Sequence, residues 1–239
     1  MVTQAGQAKR ALSRTRAGLV GLLAVALVAS SQVASAAPKD KVEVLDGATL
    51  DDPSREPKPV PGAFSMLDRS ERGIATKLRT RARPGHAHTL WYVIFNSPEN
   101  CSEAACGDDD IFTDPSNHSA GFNAPQIAAT RASVVWGSAG AVANPAGRLK
   151  LDGALGAGEL PDGPNQVVIG RGEDGALVPL GVVTGLEDPH GAVIIAVVQD
   201  HGAAHDDPEL LEMQLTSFKG ACNPGCEDVQ AARHVPGRE

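Results

Sequence analysis

His86-Ala87-His88-Thr89-Leu90-Trp91-Tyr92-Val93-Ile94-Phe95 is the stretch whose reading decides the fold. Ten residues rich in β-branched and aromatic side chains follow Pro84-Gly85, a turn signal. Leu90 to Ile94 are apolar at every position, so both faces of this strand demand cover. That suits a central strand of a sandwich. Trp91 and Tyr92 alternate, so only one can enter a given core; the other needs exposure or a second packed layer. A carbohydrate-binding face built from Trp91, Tyr92 and Trp136 is the functional alternative to core packing.

Outward from this strand the same two-residue rhythm recurs. Ile74, Thr76, Leu78 and Thr80 alternate with Ala75, Lys77, Arg79 and Arg81, which gives one apolar and one basic face. The Pro84-Gly85 turn predicts a hairpin between this segment and His86–Phe95. Ala132–Val142, Arg148–Asp152 and Ala192–Asp200 read as further strands, and so does Leu210–Phe218, with Leu211, Met213 and Leu215 on one side. Val167–Ile169 and Leu177–Leu186 are expected to be extended, and Asp228–Ala232 to form a last strand or a helical turn. The chain has 26 glycines and 17 prolines, and long amphipathic patterns are missing. The expectation is an all-β fold, a β-sandwich of antiparallel Greek-key type with long disulfide-pinned loops.

Residues 1–36 read as a secretory signal peptide. Lys9, Arg10, Arg14 and Arg16 form a basic head, Ala17–Ala29 an apolar core, and Ala34-Ser35-Ala36 a small-residue cleavage pattern. The core is short for a membrane span, which needs about 20 residues. An uncleaved anchor is the alternative. Residues 37–70 read as a flexible N-terminal segment, rich in Pro, Asp and Glu, with one short strand at Val42–Leu45. Residues 71–239 then make a single sandwich domain with a short polar tail.

The formal charge of −8 includes four cations and no carboxylate from the first 36 residues, so the mature chain lies near −12. Such a charge keeps the protein soluble and repels nucleic acid and anionic membrane. No integral membrane segment is expected once the signal is removed. The expected partner is an extracellular ligand, protein or glycan.

All four cysteines fall in the mature part. Export permits disulfides, and the local pairs Cys101–Cys106 and Cys222–Cys226 are favoured over a four-cysteine zinc site.

Pro84–Cys101 as a whole, together with Cys106-Gly107-Asp108-Asp109-Asp110, Leu186–Gly202 and Leu215–Cys222, resembles a motif of an uncharacterised family of secreted bacterial β-domain proteins. The resemblance covers residues 73 to 230. His201-Gly202 after a strand also resembles chordin-like (CHRD) domains. These resemblances imply a secreted β-domain and carry no activity.

Three sets of residues are candidates for chemistry. His86 and His88, at i and i+2, share a strand face; with His201, and His205 beyond it, they would suit zinc or copper if the strand ends adjoin. The plain reading is strand-end histidines bonded to backbone and water. Asp108, Asp109 and Asp110 in a pinned loop would suit calcium, though the spacing is not that of an EF-hand and a solvated acidic loop needs no ion. Ser133, Ser138 and Ser217 lack a nucleophile-elbow setting. No P-loop, H-E-x-x-H or dinucleotide fingerprint occurs. No catalytic residue is assigned and no cofactor is expected, with calcium or zinc/copper as the alternatives. The function expected is a non-catalytic extracellular binding or structural module; the alternative is a secreted hydrolase or metal-dependent enzyme.

Overall fold

The computed structural model describes residues 40–46, 57–103, 105–114, 121–160 and 185–237. The signal-peptide reading, the Val167–Ile169 strand and most of Leu177–Leu186 lie outside these residues.

Ten strands are described: β1 (Asp40–Val42), β2 (Leu45–Asp46), β3 (Lys58–Pro59), β4 (Phe64–Ser70), β5 (Gly73–Arg81), β6 (His86–Phe95), β7 (Ala132–Val142), β8 (Arg148–Gly156), β9 (Val193–Ala203) and β10 (Glu227–His234). They build two antiparallel sheets, ordered β1-β4-β5-β8 and β3-β2-β10-β9-β6-β7. The helices are α1 (Ala124–Thr130) and α2 (Pro208–Thr216).

Packing follows from side-chain alternation. The inner faces of the two sheets meet in one core, which holds Leu67, Ile74, Leu78, Leu149 and Leu151 from one sheet and Leu90, Tyr92, Ile94, Ile194 and Val198 from the other. A second core covers the outer face of the larger sheet. There Trp91, Val93 and Phe95 of β6 and Val193 and Val197 of β9 pack under Cys106, Ile111, Phe112 and Ile127 of the long connection and α1. This is why Leu90–Ile94 are apolar throughout: β6 is buried on both sides, and Trp91 sits in a second layer while Tyr92 fills the sandwich. Trp91 and Tyr92 are fully buried and Trp136 is partly so.

The sandwich closes tightly around Tyr92. A methyl group on Gly153 would stand 2.6 Å from the Tyr92 hydroxyl and 2.5 Å from the Gly137 carbonyl oxygen. One on Gly137 would stand 3.0 Å from the Tyr92 ring. The phenol occupies space that two missing side chains leave free.

Three expectations are corrected. The predicted β5–β6 hairpin does not form. β5 pairs with β4 and β8, while β6 pairs with β7 and β9. Side-by-side strands share their surfaces, and the basic face of β5 belongs in water whereas neither face of β6 does. The chain therefore changes sheet at Ala82–Gly85, tied by Ala82 N–H to Gly147 O and Gly85 N–H to Ala143 O.

Secondly, residues 37–70 are not a flexible segment throughout: they include β4, a seven-residue strand paired with β5 from Phe64↔Arg79 to Ser70↔Gly73.

Thirdly, Leu210–Phe218 is not a strand. Asp207 caps α2 by accepting from the Glu209 and Leu210 N–H groups, Pro208 opens the helix and Glu209 is acidic in its first turn. The alternation of Leu211, Met213 and Leu215 misled because this helix turns a polar residue inward. Gln214 is fully buried and donates to the carbonyls of His201 and Ala203.

Both local disulfides are present, Cys101–Cys106 and Cys222–Cys226, and no described cysteine is free.

Candidate functional site

The expected three-imidazole set is divided by the larger sheet. His88 and Asp200 are directly opposite on β6 and β9, so they share a face with His86. His201 follows Asp200 and points to the other face, where it meets Thr89 and Trp91.

On the first face, Asp200 accepts from His86 Nδ1–H at 2.9 Å and from Gly202 N–H at 2.7 Å. His88 Nδ1–H donates to the His86 carbonyl at 3.0 Å. A carbonyl only accepts, so the lone pair of a neutral His88 lies on Nε2. That nitrogen is buried without a hydrogen bond, 3.7 Å from Asp200 Oδ2. Burial pushes the His88 imidazole below its ordinary value despite the nearby carboxylate.

On the second face, Trp91 Nε1–H donates to Thr89 Oγ1 at 2.8 Å, and the Thr89 hydroxyl lies 2.7 Å from His201 Nε2. His201 Nδ1–H points to the Gly220 carbonyl at 3.3 Å, so Nε2 accepts from Thr89. Burial lowers His201 to about 4. The whole chain of groups is enclosed, and the neutral imidazole is a fixed acceptor in it. Gly202 makes room for this strand end: it holds φ +83°, and a methyl there would stand 1.7 Å from Asn223 O. His205 is used locally, with Nε2–H directed to the Ala221 carbonyl.

Asp108, Asp109 and Asp110 form a single 3₁₀ turn. With three residues per turn, consecutive side chains diverge, so they do not gather around one point. Asp110 points inward and organises the pinned loop. Its oxygens accept from Ser102 N–H at 2.7 Å, Gly107 N–H at 3.0 Å and Gln126 Nε2–H at 2.8 Å. Burial alone would raise this carboxyl, but those donors outweigh it and hold it below the usual value.

Among the described residues, the groups of three or more ligand-type side chains that converge within 4.8 Å are His201–Cys222–Cys226 and Cys101–Cys106–Asp110. Both contain a disulfide, whose sulfurs are not thiolates.

One constellation lies outside every sequence motif. His234 Nδ1 is 3.0 Å from Asp40 Oδ2, and His234 Nε2 is 2.9 Å from Ser65 Oγ. The carboxylate fixes the tautomer, so Nε2 accepts from the serine hydroxyl, which is the connectivity of a Ser–His–Asp triad. Its setting differs from that of a hydrolase. Ser65 and His234 are both 0% exposed. Ser65 is the second residue of β4 and points between the sheets, where it meets His234 of β10. Thr80 and Gln230 make a second polar link between the sheets at 2.8 Å. The triad-like bonds therefore staple β1 and β4 to β10. No signal in the sequence joins these residues, which are 169 and 194 positions apart in their two bonds.

No protein-family model matches the chain, and no curated protein and no solved structure is significantly similar to it.

Proposed function

We propose that this chain is a secreted, non-catalytic β-sandwich module that binds or organises an extracellular ligand. The observation that carries this reading is the closure of Ser65: the hydroxyl in triad connectivity is sealed between two sheets, where an acyl substrate has no path. His86, His201 and His205 are likewise engaged in hydrogen bonds within the protein, and His88 is buried beside Asp200. Two short disulfide loops shape the surface, which fits an oxidising compartment. Among the described residues no helix is long and apolar enough to cross a membrane.

Binding to a glycan array and pull-down of extracellular protein test the proposal. Capture of a defined ligand without turnover supports it. The second reading, a serine hydrolase, is favoured only by the Asp40–His234–Ser65 connectivity. Labelling of Ser65 by a fluorophosphonate probe, lost in Ser65→Ala, would establish that reading and end the first. Export is tested by N-terminal sequencing of protein from culture medium: a start at Ala37 is expected, and an intact leader contradicts it.

A further inference from the structure

The solvent face of the smaller sheet runs against the charge of the molecule. Strand register places Lys41, Met66, Lys77 and Asp152 in one row across β1, β4, β5 and β8. Phe64, Arg79 and Lys150 form the next row, and Arg81 faces Arg148 in the last. Lys41, Lys77, Arg81, Arg148 and Lys150 are exposed and Arg79 is partly so. Asp152, bonded to Arg79, and Asp68 are the carboxylates on these strands' outer face. The chain as a whole carries a net charge of −8.

Two of these rows set cation directly against cation: Arg79 opposite Lys150, and Arg81 opposite Arg148. Like charges on paired strands lie about 5 Å apart and destabilise a sheet. Arg79 finds partial relief in Asp152; Arg81 and Arg148 have no carboxylate in their row. An anionic ligand laid along these rows would relieve the repulsion. Phe64 and Met66, partly buried at the margin, add apolar surface, and Lys41 lies 4.6 Å over the Phe64 ring.

We infer that this face binds an acidic polysaccharide, carboxylated or sulfated, laid across β4, β5 and β8. The inference rests on the reading of the chain as an extracellular binding module and names its ligand class. Nucleic acid, with a charge about every 1.7 Å along a duplex, is repelled by the acidic remainder of the protein. An acidic polysaccharide carries its charges on sugar rings whose C–H faces can rest on Phe64 and Met66.

The test titrates the purified protein with polygalacturonate, dextran sulfate, neutral dextran and single-stranded RNA. Binding to the two acidic polymers is expected, at least about tenfold weaker in 200 mM than in 50 mM salt, with no binding to dextran. The double reversal Lys77→Glu with Lys150→Glu weakens it at least about tenfold, whereas Arg233→Glu, on the other sheet, leaves it unchanged. A separate readout needs no ligand: Arg148→Gln raises the melting temperature of the free protein by about 1–3 °C by removing a like-charge pair. Failure to bind either acidic polymer, equal binding by RNA, or affinity indifferent to the reversals overturns the inference. A neutral glycan or a protein captured through another surface overturns it alone and leaves the binding-module reading intact.

Discussion

His201 shows how one residue ties stability to pH. Its folded-state value of about 4 lies well below the ordinary 6.5 of histidine. The unfolded chain therefore takes up a proton first as pH falls. The contribution of the neutral buried imidazole is fully present above about pH 6.5 and drains away as pH drops toward 4, to a limit of about 3 kcal/mol. His88 and His234 are shifted in the same direction, by burial, and add to the slope. Denaturant midpoints measured from pH 7.5 to 4.5 should fall, and His201→Gln should flatten part of that fall. At Ser65 the expectation is structural. Ser65→Ala leaves His234 Nε2 buried without a donor, at a cost of about 1–3 kcal/mol in chemical unfolding. Such chemistry was legible in the sequence only where partners are near neighbours. His86 and His88 share a face because they are two residues apart, which alternation reveals. Asp40, Ser65 and His234 come from three strands, and nothing local marks them as partners. Asp200 escaped notice for the same reason, since its pairing with His88 is a matter of register.

Elements were legible where one physical demand dominated. β6 and β9 are apolar enough to be strands in any setting. β5 and β8 alternate cleanly because one face meets water, and the expected strand at Arg148–Asp152 continues to Gly156. β4 was hidden because it follows a proline-rich run and its inward positions, Ser65, Leu67 and Arg69, are only partly apolar. α2 was misread because its capping signal, Asp207-Pro208-Glu209, competes with an accidental alternation. That signal supplies a prediction: Asp207→Ala removes the acceptor for two helix N–H groups and costs about 1 kcal/mol. Amide exchange in Pro208–Thr216 should quicken before the sheets respond. The Tyr92 niche supplies another. Gly153→Ala drives a methyl into the phenol and the Gly137 carbonyl, and should destabilise the fold by about 1–3 kcal/mol in urea melts.

For the molecule as a whole, the two disulfides close loops only five and four residues apart in sequence. By the loop-entropy relation, replacing Cys101 and Cys106 with serine costs about 2 kcal/mol. The loss should be felt first at the Ser102 and Gly107 amides held by Asp110, and hydrogen exchange there checks it. The all-β sandwich and both pairings followed from composition, alternation and cysteine spacing. Which strand joins which sheet did not, because alternation along a strand says nothing of its neighbours.

β6 is a party wall between two rooms. Leu90, Tyr92 and Ile94 furnish the sandwich interior, while Trp91, Val93 and Phe95 carry the overlying cap of loop and helix. Each room can thus be refurnished with little disturbance to the other. Grafting a different cap onto the Trp91 side, while keeping the Leu90 side unchanged, is a route to new exteriors on one inherited frame.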